Sequence, residues 1–127
     1  MNEILAKQLA IDFCTDVNSI LSKENVFTEY KQLEGRRIFK EGECYFKAAS
    51  VNGKIVASGR KDIIQWAREK FKTEKGAWFM DMGCLHKVEE GLLRFQCRIG
   101  QAHPFYIATE KSDVDTKDYD IKIFIGD

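Results

Sequence analysis

Apolar residues near the start of the chain recur at helical spacing. They stand among charged and polar neighbours over residues 2–13, a pattern typical of a helix that buries one face. The apolar positions are Leu5, Leu9, Ile11 and Phe13. A second, short helix is predicted over residues 16–21, because Thr15 or Asp16 can accept hydrogen bonds from its first backbone N–H groups.

The pattern becomes polar and irregular over residues 25–42. We therefore predict a long connection here. Connections of this length often carry functional residues.

Two apolar runs then flank Asn52 and Gly53 in "CYFKAASVNGKIVASG", residues 44–59. An Asn-Gly pair supplies both positive-φ positions of a type I′ turn, whose twist matches that of two paired strands. The segment predicts a β-hairpin.

The segment "SGRKDIIQWAREKF", residues 58–71, predicts a helix directly after the hairpin. Ser58 is expected to cap it, and Asp62 complements the positive end of the helix dipole. The expected buried stripe consists of Ile63, Ile64, Ala67 and Phe71.

The segment "GAWFMDM", residues 76–82, predicts a strand with Trp78 on one face and Phe79 on the other. One of these rings is expected in the core, and the other is then available to a planar ligand.

Residues 84–99 leave two interpretations open. Their apolar residues recur at roughly helical spacing, although Gly91 costs a helix about 1 kcal/mol relative to alanine. A strand over residues 92–99 is the alternative. Two further strands are predicted over residues 103–109 and 119–126.

These elements predict a mixed α/β fold of the α+β type, with helices packed on a central, mostly antiparallel sheet that contains the Asn-Gly hairpin. The length of 127 residues favours a single domain over residues 1–127. Its N-terminal helices would lie within residues 1–24, and the hairpin, helix and sheet core within residues 36–127.

Charge and composition exclude several classes of function. The chain has 20 basic and 20 acidic residues, so a domain-wide positive field for a nucleic-acid polymer is not expected. Its apolar runs are too short for a membrane span, and its N-terminus lacks the pattern of a signal peptide. The four cysteines form no C-x-x-C pair and are expected as reduced thiols in the cytoplasm.

Several segments, in this order along the chain, carry a resemblance to a known family. They are "NVFTEY" (25–30), "LEGRR" (33–37), "VNGK" (51–54), "GRKDIIQW" (59–66), "GAWFM" (76–80) and "HPFYIATE" (103–110). The chain resembles the N-terminal region that precedes the catalytic domain in a group of clostridial-type GNAT-family N-acetyltransferases. This resemblance implies a recognition domain whose fold follows part of the GNAT order.

The catalytic features of that family are not found among these residues. The acyl-CoA loop, of the form Q/R-x-x-G-x-G/A, does not occur, and "ASGRKD" at a comparable position has one glycine where two are needed. We therefore do not expect this chain alone to transfer an acetyl group.

Candidate binding residues lie at the predicted connections and on the aromatic segments. The start of the helix after the hairpin offers backbone N–H groups and two cations to an anion, and arginine forks bind phosphate with two hydrogen bonds. Ordinary capping and solvated charges are the competing interpretation. The candidates are Arg36, Arg37, Ser58, Gly59, Arg60, Lys61, Trp66, Trp78, Phe79, His103 and Tyr106.

The sequence therefore predicts a non-catalytic binding module for a small phosphate-bearing or nucleotide-like molecule, working as a homo-oligomer without a cofactor or metal. A phage-encoded anti-defence protein that sequesters a nucleotide immune signal would have this size. The alternatives are a protein-interaction or inhibitory module and, third, a residual acyltransferase.

Overall fold

A computed structural model describes residues 1–37 and 44–100 of the chain. Both predicted N-terminal helices are present, as α1 (Glu3–Asp12) and α2 (Val17–Leu21). The side chain of Asn2 caps α1 by accepting from Ile4 N at 2.8 Å. The alternative caps of α2 are resolved in favour of Asp16, whose carboxylate accepts from Ser19 N at 2.7 Å.

Three strands form the sheet: β1 (Val26–Glu29), β2 (Phe46–Val51) and β3 (Lys54–Gly59). Their order is β1-β3-β2, and β3 is parallel to β1 and antiparallel to β2. The predicted hairpin is confirmed as β2–β3, with positive φ angles of 50° at Asn52 and 76° at Gly53. In the part of the chain that the structure describes, the sheet is mixed rather than mostly antiparallel.

Strand β1 lies within residues 25–42, which the sequence predicted to be irregular. The prediction was wrong because β1 is short and only Phe27 of its four residues is buried. Its pairing partner β3 lies far along the chain, so no local pattern indicates it.

Helix α3 (Lys61–Phe71) confirms the predicted helix and all four residues of its buried stripe. The predicted cap is wrong, because Ser58 is a fully buried residue of β3 and Arg60 is the N-cap residue. The side chain of Asn25 bonds the other end of α3. Its amide donates to Phe71 O at 3.0 Å and Glu74 O at 2.8 Å, and its Oδ1 accepts from Ile55 N at 2.9 Å.

The predicted strand at residues 76–82 is also wrong. The chain forms the short helix α4 (Gly76–Phe79), and α5 (Met82–Leu93) follows after two residues, so residues 84–99 begin as a helix. Gly76 N donates to Gly53 O at 3.0 Å, and a Cβ at Gly76 would meet the Lys54 backbone at 2.4 Å. This close contact seats α4 at the hairpin turn. The strands predicted over residues 103–109 and 119–126 lie outside the described residues.

Two hydrophobic clusters cover opposite faces of the sheet. Ile55 and Ala57 of β3 pack under α3, α4 and α5, on what we call the α3/α5 face. Val56, their neighbour on the strand, packs under α1 and α2, on the α1/α2 face. Within residues 1–37 and 44–100, no helix has the length and apolar character needed to cross a membrane.

Candidate functional site

The carboxyl ends of the parallel strands β1 and β3 lie side by side, where Tyr30 N donates to Gly59 O at 2.8 Å. Ligands of open α/β sheets bind at such an edge. Lys47 of β2 is in register with Ser58, which is in register with Thr28 of β1. Paired residues project to the same face of a sheet. All three therefore project to the α1/α2 face.

Two cations converge on one tyrosine at this edge. Lys47 Nζ lies 5.3 Å from the ring centroid of Tyr30 and 5.1 Å from that of Phe13, and Arg36 Cζ lies 5.9 Å from the Tyr30 centroid. These distances are within the range of cation–π attraction. We call Phe13, Tyr30, Arg36 and Lys47 the sheet-end cluster.

The sheet-end cluster carries two positive charges that the described residues do not pair with a carboxylate. Neither Arg36 nor Lys47 forms an ion pair with a carboxylate of the described residues. Both cations are half-buried, so solvent screens them less than it screens the exposed lysines of the chain. The arrangement favours an anion placed between them.

Arg37 points to a different partner from its neighbour Arg36. Its Nε lies 2.6 Å from Asp12 Oδ2, and its backbone N donates to Asp12 Oδ1 at 2.8 Å. The carboxylate of Asp12 is buried and also accepts from Gln8 at 2.9 Å. Arg37 therefore fastens the loop to α1.

The start of α3 already holds a negative group. The guanidinium of Arg60 donates to both oxygens of Asp62, at 2.7 and 3.0 Å, and lies 5.5 Å from the Tyr45 ring centroid. Asp62 in turn accepts from Ile63 N at 2.9 Å, and the Arg60 hydrogen bond is the main cause that lowers the pKa of Asp62. An anion at this helix end would compete with Asp62 for Arg60. The adjacent Lys61 is exposed.

Ser58 and Gly59 are the last two residues of β3, and both are buried. A Cβ at Gly59 would meet Tyr45 O at 2.4 Å, so glycine is required there by the packing of β2 on β3. Ser58 is fully buried, and its hydroxyl has no hydrogen-bond partner in the described part of the chain.

Two thiols border the sheet-end cluster. Cys14 exchanges hydrogen bonds with the backbone of Lys31, each at 3.2 Å. Burial raises the pKa of Cys44, and the positive charges of Lys47 and Arg36 oppose part of this rise. A raised pKa keeps the Cys44 thiol protonated and weakly nucleophilic at neutral pH.

The three candidate rings are distributed over other parts of the molecule. Phe79 is buried in the core, 5.5 Å from Phe71, whereas Trp78 is 60% exposed on α4. Trp66 is half-buried on α3 against α5. The structure therefore does not bring these rings to the arginines. His103 and Tyr106 lie outside the described residues.

The sequence missed the members of the cluster other than Arg36. A lysine in the apolar strand "FKAASV" was the one available signal, since a charged residue in a strand marks a position where burial is incomplete or compensated. The meeting of Tyr30 with Lys47 depends on the parallel pairing of β1, which local patterns do not indicate.

No family model matches this chain, and searches of curated proteins and of solved structures also find no match. Residues 1–37 and 44–100 contain no group of three or more histidine, cysteine, aspartate or glutamate side chains placed to hold a metal ion.

Proposed function

We propose that this protein is a non-catalytic binding module for a small phosphate-bearing or nucleotide-like molecule, which it holds at the sheet-end cluster. One observation carries the proposal: Arg36 and Lys47 both contact Tyr30 without a carboxylate of the described residues to neutralise them. The neighbouring Arg37 and Arg60, by contrast, are bonded to aspartates.

The chemistry of these groups suits a phosphate group. The fork of Arg36 can donate two parallel hydrogen bonds to phosphate oxygens, and the Lys47 ammonium supplies a point charge. Contact with the rings of Tyr30 and Phe13 limits the motion of both side chains before a ligand arrives, which lowers the entropy cost of binding.

Binding without reaction would make the protein a sequestering agent for a nucleotide signal, such as one that drives an immune response against a phage. The resemblance to the region that precedes the catalytic domain of GNAT acetyltransferases supports a recognition role. In this proposal the domain is a partial GNAT-like unit that retains recognition and lacks the acyl-transfer site.

Calorimetry against cyclic nucleotides, ADP-ribose derivatives and inorganic phosphate tests the proposal. We expect Arg36→Gln and Lys47→Gln each to weaken binding about tenfold or more, because a hydrogen bond to a charged group contributes roughly 1.5–3 kcal/mol. Lys23→Gln removes an exposed cation that precedes β1 at the opposite end of the strand and should leave affinity unchanged. No binding across the panel by the folded wild type would refute the proposal.

A second candidate function, docking to another protein, is favoured by exposed apolar residues on and beside α4. Trp78 is 60% exposed, Met80 39% and Met82 84%. Exposed apolar residues can mark an interaction site when they form one patch. If the patch mediates self-association, Trp78→Gln with Met82→Gln should lower the mass measured by light scattering at high concentration. An unchanged mass would exclude this surface as the contact between copies.

A further inference from the structure

A groove of about 330 Å³ runs between α3 and α5, on the α3/α5 face of the sheet. It is therefore separated by the sheet from the sheet-end cluster, which lies on the α1/α2 face. Its floor is formed by Trp66 and Gly91. Its walls are the charged residues Glu69, Lys70, Lys87, Glu90 and Arg94.

A glycine at position 91 is what lets the floor form. A Cβ on Gly91 would lie 1.8 Å from Cζ2 of Trp66, so the indole rests directly on the backbone of α5. Phe71 meets the indole at 89° and Phe95 at 58°. Among the described aromatic residues none stacks parallel to Trp66, which is partly buried against the core. The part of the indole that lines the groove is therefore not covered by another described ring.

The charged side chains of the groove do not neutralise one another. Its three cations exceed its two carboxylates by one, and none of the five forms an ion pair within the described ranges. A ligand with an anionic group would neutralise the excess. The carboxylates of Glu69 and Glu90 can accept hydrogen bonds from amino or hydroxyl groups.

We propose that this groove is a second ligand site, for a molecule of the size and chemistry of a nucleoside monophosphate. The base would stack on Trp66, the phosphate would lie toward the cations, and the amino or ribose hydroxyl groups would face the carboxylates. The volume falls at the small end of the range for ligand pockets. Stacking of a base on an aromatic side chain contributes about 1–3 kcal/mol.

The test uses tryptophan fluorescence in a Trp78→Phe background, which leaves Trp66 as the single tryptophan. Each of the four ribonucleoside monophosphates is titrated, with adenosine and inorganic phosphate as partial ligands. We expect a saturable change in Trp66 emission with at least one monophosphate, and at least tenfold weaker binding of both partial ligands. Lys87→Gln with Arg94→Gln should weaken binding at least tenfold.

The matched control is Lys72→Gln with Lys75→Gln, which removes two cations that do not line the groove and should leave affinity unchanged. The proposal is overturned if no monophosphate gives a saturable change while circular dichroism shows a folded protein. It is also overturned if Arg36→Gln and Lys47→Gln abolish the change and the groove variants do not. That last result would leave the sheet-end proposal standing, so the two failures are distinguishable.

Discussion

The two faces of the sheet are held by different kinds of contact. On the α1/α2 face, polar side chains reach backbone groups and carboxylates: Thr28 donates to Phe13 O, Arg37 pairs with Asp12, and Lys54 donates to Ser19 O. On the α3/α5 face, aromatic rings meet edge to face, with Phe71 between Trp66 and Phe79.

This difference shows how one small sheet can be stabilised by polar contacts on one face and by ring packing on the other. Hydrogen bonds and ion pairs respond to pH and salt, so the α1/α2 face and its sheet-end cluster are expected to be sensitive to solution conditions. Ring packing responds to shape, so the α3/α5 face and its groove are expected to be sensitive to volume. The following predictions test this contrast.

The largest effect is expected at Gly91. Gly91→Ala places a Cβ against Trp66 and should lower the free energy of unfolding by about 3 kcal/mol, at the upper end for overpacking. Urea denaturation measures this change. A Cβ added at Gly83, also in α5, would meet no other atom within 4 Å, so Gly83→Ala should be neutral or stabilising by up to ~1 kcal/mol. Equal losses in both variants would argue against the shape dependence.

Asn25 directly precedes β1 and gives the α3/α5 face a polar contact with the end of α3, so its replacement measures how far that face also depends on hydrogen bonds. Asn25→Ala removes the donor to Phe71 O and Glu74 O and the acceptor for Ile55 N, with an expected loss of about 2 kcal/mol. Thermal unfolding measures the loss. Asn18 of α2 is exposed, and Asn18→Ala should change stability by less than about 0.5 kcal/mol.

Arg37→Gln tests whether the α1/α2 face depends on charge. The variant loses the bond from Nε to the buried carboxylate of Asp12 and should be less stable by about 1 kcal/mol, less in 1 M salt. The exposed Lys7–Glu3 pair provides the comparison, since Lys7→Gln should have almost no effect. A loss for Arg37→Gln that does not change with salt would show that shape, not charge, matters here.

Lys54 gives the smallest and most specific effect. It is 3% exposed, and burial lowers the pKa of its ammonium from 10.5. The unfolded chain therefore binds this proton more strongly than the folded chain does. The resulting loss of folding stability is complete below the folded pKa, and it disappears as the pH rises toward 10.5. We expect the stability of the wild type relative to Lys54→Met to rise over this range in chemical denaturation. Lys72 is exposed, so the stability of Lys72→Met should change with pH as that of the wild type does. If the stability difference between the wild type and Lys54→Met does not change with pH, the lowered pKa of Lys54 is contradicted.

Local chemistry made part of the fold predictable. Asp16 caps α2 and Asn52-Gly53 turns the hairpin because each acts on its immediate neighbours. Residues 76–82 were misread because a short apolar run fits a strand or a helix equally well, and a distant contact with the hairpin turn decides between them.

The candidate sites could not be predicted in full from the sequence, because they depend on contacts between residues that are distant along the chain. Arg36 and Trp66 were identified from residue type, but Lys47 became visible only when β2 was placed beside β3 and β1. Arg36 and Arg37 are adjacent in sequence, and only the buried carboxylate of Asp12 separates their roles. The role of Gly91 likewise required the position of the Trp66 ring.

The central position of β3 has a consequence for biosynthesis. During translation, α1, α2 and β1 emerge from the ribosome before β3, so β1 lacks the partner strand seen in the structure until residues 54–59 have followed. The hairpin can close quickly because its strands are adjacent, whereas docking of β1 must wait and closes a much longer loop. The nascent N-terminal segment therefore exposes an unpaired strand edge for the time needed to add about thirty residues, an interval of a few seconds at typical elongation rates.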